Sequence, residues 1–321
     1  MPVDVTLASY GDLAFNTSLV LYLLAMVLHA VEYAARREVA VPAAAEVQGG
    51  GVATLVSPAA TGPPRRSPAE RAGRAAVALV VLAAGVHGVS LVLRGLAAGR
   101  VPWGNMYEFT SAVCFVAVVV WLVVLHRQRV VAPALRSLGL FVLVPVVILL
   151  FLAGTVLYAE AAPLIPALNS YWIAIHVAAA IIASGTLLVA GVASVLYLVA
   201  ARHESRPDST STVGVRLPSA VTLDRLAYRT TVVAFPIWTF AVITGAIWAE
   251  AAWGRYWGWD PKETVALVAW VVYACYLHAR ATAGWRGSRS AWINIAGFTV
   301  MVFNLFFVNI VVAGLHSYAG V

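Results

Sequence analysis

The chain has 321 residues, of which 62% are apolar and only 11% charged, and its mean hydropathy is +0.87. That balance excludes a soluble globular domain of this length and indicates an integral membrane protein. The formal charge of +7 rests almost entirely on arginines placed in short segments between apolar runs, so it reads as membrane topology and gives no support for a nucleic-acid partner.

A helix needs about 20 apolar residues to cross roughly 30 Å of hydrocarbon. On that criterion the sequence predicts eight spans, near 14–35, 75–96, 108–126, 137–158, 172–201, 231–250, 264–282 and 291–313. The expected fold class is therefore all-α, a polytopic membrane helical bundle. Asp4 and Asp12 precede or open the first run and no Lys or Arg does, so this segment lacks the basic start of a secretory signal and is expected to be a retained helix. The stretch 36–74 is rich in Ala, Gly and Pro and poor in aromatics, which predicts a disordered linker. The expected organisation is a first transmembrane helix over 1–35, this linker, and a seven-helix membrane domain over 75–321.

An N-terminus on the outside puts 36–74, 127–136, 202–229 and 281–290 on the cytoplasmic side. With the adjoining Arg280 these hold 17 of the 21 basic residues, leaving Arg94, Arg100, Arg255 and Lys262 outside. Short cytoplasmic loops collect Lys and Arg, so both termini are expected to be extracytoplasmic. Cys114 and Cys275 lie in separate apolar runs, which excludes a disulfide framework and a CxxC redox pair.

The segment between the sixth and seventh spans, WAEAAWGRYWGWDPKE, is unusually aromatic. One reading is an interfacial belt, since indoles favour the headgroup level. The other is a platform for a flat apolar ligand: Trp253 and Trp257 share a face if the piece is helical, Trp259 walls the far side, and Gly254 and Gly258 leave room. Asp260, Pro261 and Glu263 have the spacing of an N-cap, an N1 proline and a capping-box acid. His176, one turn into the fifth span, and His316, just beyond the eighth, fall at the level of this loop. Two such imidazoles have the placement of axial ligands to iron.

WGRYWGWDPKE resembles the WWD motif, WGxxWxWD, of the haem-handling superfamily that includes the CcsA/ResC, CcmC and CcmF proteins. RGLAAGRVPWGNMYEF, SYWIAIHV and GLHSYAGV resemble the CcsA/ResC branch, the System II cytochrome c biogenesis proteins, so the similarity covers roughly 75–321. The resemblance implies that haem b is carried as substrate at an extracytoplasmic site of the bacterial cell membrane. It assigns Trp253, Gly254, Trp257, Gly258, Trp259 and Asp260 to the haem platform and His176 and His316 to the iron. His278 matches the family's intramembrane histidine; the alternative is an interfacial residue beside Arg280. Its mate is either His29 or a residue of a partner. His87 is expected to pack or anchor a loop, and His126 and His203 to be solvated. Asn105, Tyr107 and Glu108 match a family-like PxxNxYE element, with Glu108 expected to cap a helix. Haem propionates need cations, and only Arg94, Arg100, Arg255 and Lys262 stand on that side.

The implied function is cytochrome c maturation. The chain would hold haem and present it to the two thiols of an apocytochrome c CxxCH motif, as a subunit of holocytochrome c synthase with a ResB-like membrane partner. Thioredoxin-like or membrane thiol reductants would keep those thiols reduced. The chain shows no nucleophile constellation or nucleotide loop, so positioning is the expected source of catalysis. The rivals are a haem exporter, a cytochrome b subunit and a structural assembly subunit; no span holds the paired histidines that the second would need.

Overall fold

The computed structural model describes residues 3–35, 67–128, 132–164, 168–206, 213–312 and 314–316. Residues 36–66 of the expected linker lie outside the described residues. The elements are α1 (Val5–Ala35), α2 (Pro68–Ala98), α3 (Met106–Arg127), the short α4 (Ala132–Arg136), α5 (Leu138–Thr155), α6 (Tyr171–Glu204), α7 (Ala220–Trp253), α8 (Pro261–Ala281) and α9 (Ser288–Ile310), with no strand among the described residues. Eight helices are long and apolar enough to cross a membrane, α4 and α5 counting as one from Ala134 to Thr155. The protein is an all-α, multi-pass membrane bundle.

Several helices outrun the apolar stretches that predicted them, because capping rather than hydropathy sets their ends. The Asp4 carboxylate accepts from the backbone of Thr6 and Leu7 and opens α1 ahead of its apolar run. Ser67 accepts from Glu70 N, and Pro68 occupies N1, so α2 begins inside the stretch that composition assigns to the linker. Ser219 caps α7, which begins eleven residues before the expected start, and the turns carrying Asp224, Arg225 and Arg229 are helical. At 34 residues each, α6 and α7 reach about 51 Å, well beyond the hydrocarbon thickness of roughly 30 Å.

Helices α1, α2, α3 and α5 pack together. A second group, α7, α8 and α9, gathers around α6, which joins the two through α3. Small residues let the backbones approach: Ala179, Ala180, Ala183, Gly185, Ala190, Gly191 and Ala193 are buried along α6. Side-chain hydrogen bonds tie neighbours inside the bundle, Trp270 Nε1 donating to Thr239 Oγ1 at 2.8 Å and Asn294 Nδ2 to Thr231 Oγ1 at 2.9 Å. Val81, Val92, Phe240 and Ile243 are exposed, as a lipid-facing surface requires. At the arginine-rich end, Arg136 pairs with Glu32 and Arg280 with Asp224, each at 2.6 Å. The tryptophan segment lies at the other end.

A methyl group on Gly185 meets Val113 O at 2.7 Å and Val116 Cβ at 2.8 Å, whereas one on Gly85 meets nothing within 4 Å. Gly185→Ala is therefore expected to lower thermal stability in detergent by about 1–3 kcal/mol. Gly85→Ala is expected to leave it unchanged or raise it by up to about 1 kcal/mol. Equal effects would show that α3 and α6 do not meet at Gly185.

Candidate functional site

Two helix ends frame the tryptophan segment. Helix α7 stops at Trp253 because Gly254 takes the left-handed conformation, φ 70°, and its N–H closes on Glu250 O at 2.8 Å. Helix α8 starts at once: Asp260 Oδ1 accepts from Lys262 N at 3.0 Å, and Glu263 Oε2 accepts from Asp260 N at 3.1 Å and from Gly258 N at 2.9 Å. The capping box expected from the spacing is present. Only Arg255–Trp259 are left between the caps, so Trp253 and Trp257 do not share a helical face. Both nonetheless line the same cavity.

That cavity is lined by Trp248, Trp253, Trp257, His176, His316 and Lys262, and it runs inward to Ser184 and Leu188 of α6 and Phe298 of α9. Its volume is about 210 Å³. Small-molecule sites commonly hold about 300–1,000 Å³, so a porphyrin enters only if side chains move.

His176 reaches the cavity from α6 because Gly245 of α7 leaves space for its ring; a methyl group there would stand 2.7 Å from the imidazole. Its Nδ1 donates to Ala241 O at 2.7 Å. His316 follows α9, and its Nδ1 donates to Asp260 Oδ1 at 2.8 Å. In the neutral form of either ring these acceptors select the Nδ1–H tautomer, which puts the lone pair on Nε2. The other Asp260 oxygen accepts from Leu315 N at 2.7 Å. Burial works to raise the Asp260 pKa, but the bonds from His316, Leu315 N and Lys262 N prevail and hold it near 2, so it is a carboxylate at neutral pH.

Trp248, which the sequence reading did not single out, is the hub of the aromatic cluster. It is 1% exposed and parallel to His176 within 7° at a centroid distance of 6.3 Å. It also meets His316 at 5.9 Å and Trp253 at 4.7 Å, both edge to face. Trp253 touches His316 as well, at 5.2 Å. The two imidazoles therefore stand on one indole, and the sum of its distances to them bounds their separation. The signal in the sequence was the first tryptophan of WAEAAW, masked because it falls in the apolar run of a span.

Other expected platform residues are placed differently. Trp259 is 69% exposed, with φ 58°, and packs edge-on against Trp257 without lining the cavity. Gly258 makes room for the Arg255 guanidinium, which a methyl group would overlap, and Gly254 serves the α7 cap. His278 is exposed on α8, in a cleft of about 550 Å³ formed with Trp270, Cys275, Trp285 and Ile293. His29 is sealed against Trp121, Gly139 and Glu32 in the α1, α3 and α5 group, so the structure does not bring it to His278.

The helix cap expected of Glu108 is Asn105, whose Oδ1 accepts from Glu108 N at 2.9 Å. The Glu108 carboxylate instead receives Arg94 Nε at 3.0 Å, Arg100 Nη1 and Gly104 N at 2.7 Å each, and Arg100 Nη2 at 3.1 Å. Arg94 also pairs with Asp12 and donates to Ala159 O, and Arg100 donates to Ala162 O. This knot holds the 99–105 and 156–164 loops, which supply Trp103 and Leu164 to the cavity wall. Both arginines are thereby withdrawn from ligand binding. His87, fully buried between Tyr22 and Ser111, packs as expected.

Fold and site together define an integral membrane protein with histidines and indoles gathered in one cavity at the end of a helical bundle. Residues 103–316 match the family model for cytochrome c assembly proteins. The chain is 36% identical over 274 residues to the cytochrome c biogenesis protein CcsA of Parasynechococcus marenigrum (strain WH8102), covering 75% of this chain and 85% of that one. It is 41% identical over 175 residues to CcsA of Guillardia theta, covering 50% and 58%. Among solved structures, the cytochrome c haem lyase CcmF superposes with a TM-score of 0.59 at 16% identity over 94% of this chain, and the chain spans about half (47%) of that protein. At that identity the likeness speaks for the fold alone. The chain belongs to the cytochrome c assembly protein family and acts in cytochrome c maturation.

Asparagine caps helices about as well as aspartate, but it offers an amide where Leu315 N needs a second acceptor. Asp260→Asn is thus expected to keep the thermal stability within about 1 kcal/mol while raising amide hydrogen exchange at 314–316. Unchanged exchange there would show that Asp260 does not anchor the segment.

Proposed function

We propose that this chain is the haem-presenting subunit of a two-subunit cytochrome c synthase. Haem b is its substrate, held by His176 and His316 against Trp248, Trp253 and Trp257. The observation that carries this reading is geometric: both imidazoles line one indole-walled cavity, and each is hydrogen-bonded through Nδ1, the arrangement that suits coordination through Nε2. Reduced haem held this way is kept from water and oriented. Each apocytochrome thiol of CxxCH then adds across a vinyl group, forming the C–S bond at the inner vinyl carbon and placing the proton on the outer one. The histidine of CxxCH displaces one of the two ligands and releases the product. Asp260 keeps His316 oriented throughout, and the protein contributes position rather than a nucleophile.

The distribution of arginines supports an extracytoplasmic site and termini and a cytoplasmic 36–74 segment. A ResB-like membrane subunit completes the synthase, and the lipid-facing cleft at His278, with Trp270 and Trp285 beside it, fits an intramembrane haem shared with that subunit. Thiol reductants act on the apocytochrome before it docks.

Replacing both His176 and His316 with Ala in the purified complex is expected to abolish the low-spin haem spectrum of the site and the covalent product seen by denaturing haem stain. An unchanged spectrum in the double variant would refute the ligand assignment. Haem release by the unaltered complex without any covalent product would instead identify an exporter.

A further inference from the structure

The cavity contains an ammonium group without an ion-pair partner among the described residues, since the one acid lining it, Glu263, turns its carboxylate to Gly258 N and Asp260 N. Lys262 is the one Lys or Arg among the described residues that line it, and its Nζ donates to Asn309 Oδ1 at 2.6 Å. No carboxylate of the described residues lies within ion-pair distance of it. Asp260, two residues earlier, uses its oxygens on His316, Leu315 N and Lys262 N. An ammonium has three N–H donors, so one neutral amide leaves it under-satisfied, and a desolvated charge is stable only when paired or fully hydrogen-bonded. Two buried amides flank it: Asn304 and Asn309 are 6% and 9% exposed, and Asn304 Oδ1 has no hydrogen-bond partner. Of the other cations at this end, Arg94 and Arg100 are engaged by Glu108, and Arg255 lies over Gly258 without lining the cavity.

We infer that Lys262, held by Asn309, is the anchor for a propionate carboxylate of the haem. This rests on the proposed haem site and adds what orients the macrocycle within it. Two axial imidazoles leave the ring free to rotate about the line joining them, whereas a third contact at the rim fixes which edge faces outward. Attachment of two vinyl groups to two particular cysteines requires that rotation to be fixed. Lys262 is in this sense a positioning residue, touching substrate far from the bonds that form.

The test compares iron protoporphyrin IX with its dimethyl ester, which keeps the ring, iron and vinyl groups but loses both carboxylate charges. Each is titrated into the purified complex with its partner, and the Soret band is followed. The unaltered complex is expected to bind the free acid roughly tenfold to a hundredfold more tightly than the ester, the range of one charge-assisted hydrogen bond. Lys262→Met is expected to erase that preference by weakening the free acid alone, and Lys262→Arg to restore part of it. Equal affinity of the unaltered complex for both porphyrins, with a Soret band that still depends on His176 and His316, would overturn the Lys262 assignment and leave the haem site standing. Loss of both porphyrins to the same degree in Lys262→Met would do the same, marking a structural role. A Soret band indifferent to His176→Ala plus His316→Ala would remove the haem reading and this inference with it.

Discussion

The arrangement at the tryptophan end depends on one carboxylate. Asp260 starts α8 by accepting from Lys262 N, and the same group receives His316 Nδ1 and Leu315 N from the segment beyond α9. Without it, α8 would lose its cap and His316 would lose the bond that sets its tautomer. Fifty-six residues separate the two partners along the chain, so the α8–α9 hairpin has to fold before the second imidazole can join the first. Gly314 belongs to this contact, since a methyl group there would stand 2.7 Å from Asp260 Oδ2.

Buried charge in a membrane bundle is costly unless it is answered, and this protein answers it unevenly. At the tryptophan end Glu108 takes two arginines and a backbone N–H, and the knot closes loops that become cavity wall. At the arginine-rich end Glu32 and Asp224 answer Arg136 and Arg280. These groups are structural. Lys262 stands apart, in the cavity, with an amide for company. A buried cation that faces a cavity, rather than being sealed against a carboxylate, is open to a ligand that supplies the missing partner, and that sets Lys262 apart from the arginines of the scaffold.

Membrane spans were legible because a bilayer imposes length and hydropathy on any helix that crosses it. The extra turns of α1, α2 and α7 were not, because they stand beyond the hydrocarbon and are governed by Asp4, Ser67 and Ser219, whose capping bonds leave no mark on hydropathy. Asp260 and Glu263 were legible as a capping box, since that motif is local, set by a spacing of three. Trp259 was misplaced and Trp248 overlooked for opposite reasons. A tryptophan in a loop advertises itself, but its direction depends on backbone dihedrals, whereas one inside a span is indistinguishable from any other apolar residue until its neighbours are known.

The sequence by itself determined the membrane class, the number of crossings, the family and the histidines at the level of the tryptophan segment. Each of those is written in composition, in the order of short local motifs or in the spacing of like residues. Tertiary structure alone decided that Trp248 lies against both His176 and His316, that Glu108 withdraws Arg94 and Arg100 from the site, and that Lys262 is left facing the cavity. Those outcomes depend on which helices are neighbours and how far each is rotated about its axis. For Trp248 and Lys262 the partners on other helices stand 47 or more positions away, and for Glu108 the turn between α2 and α3 brings Arg94 and Arg100 back to it; hydropathy carries neither.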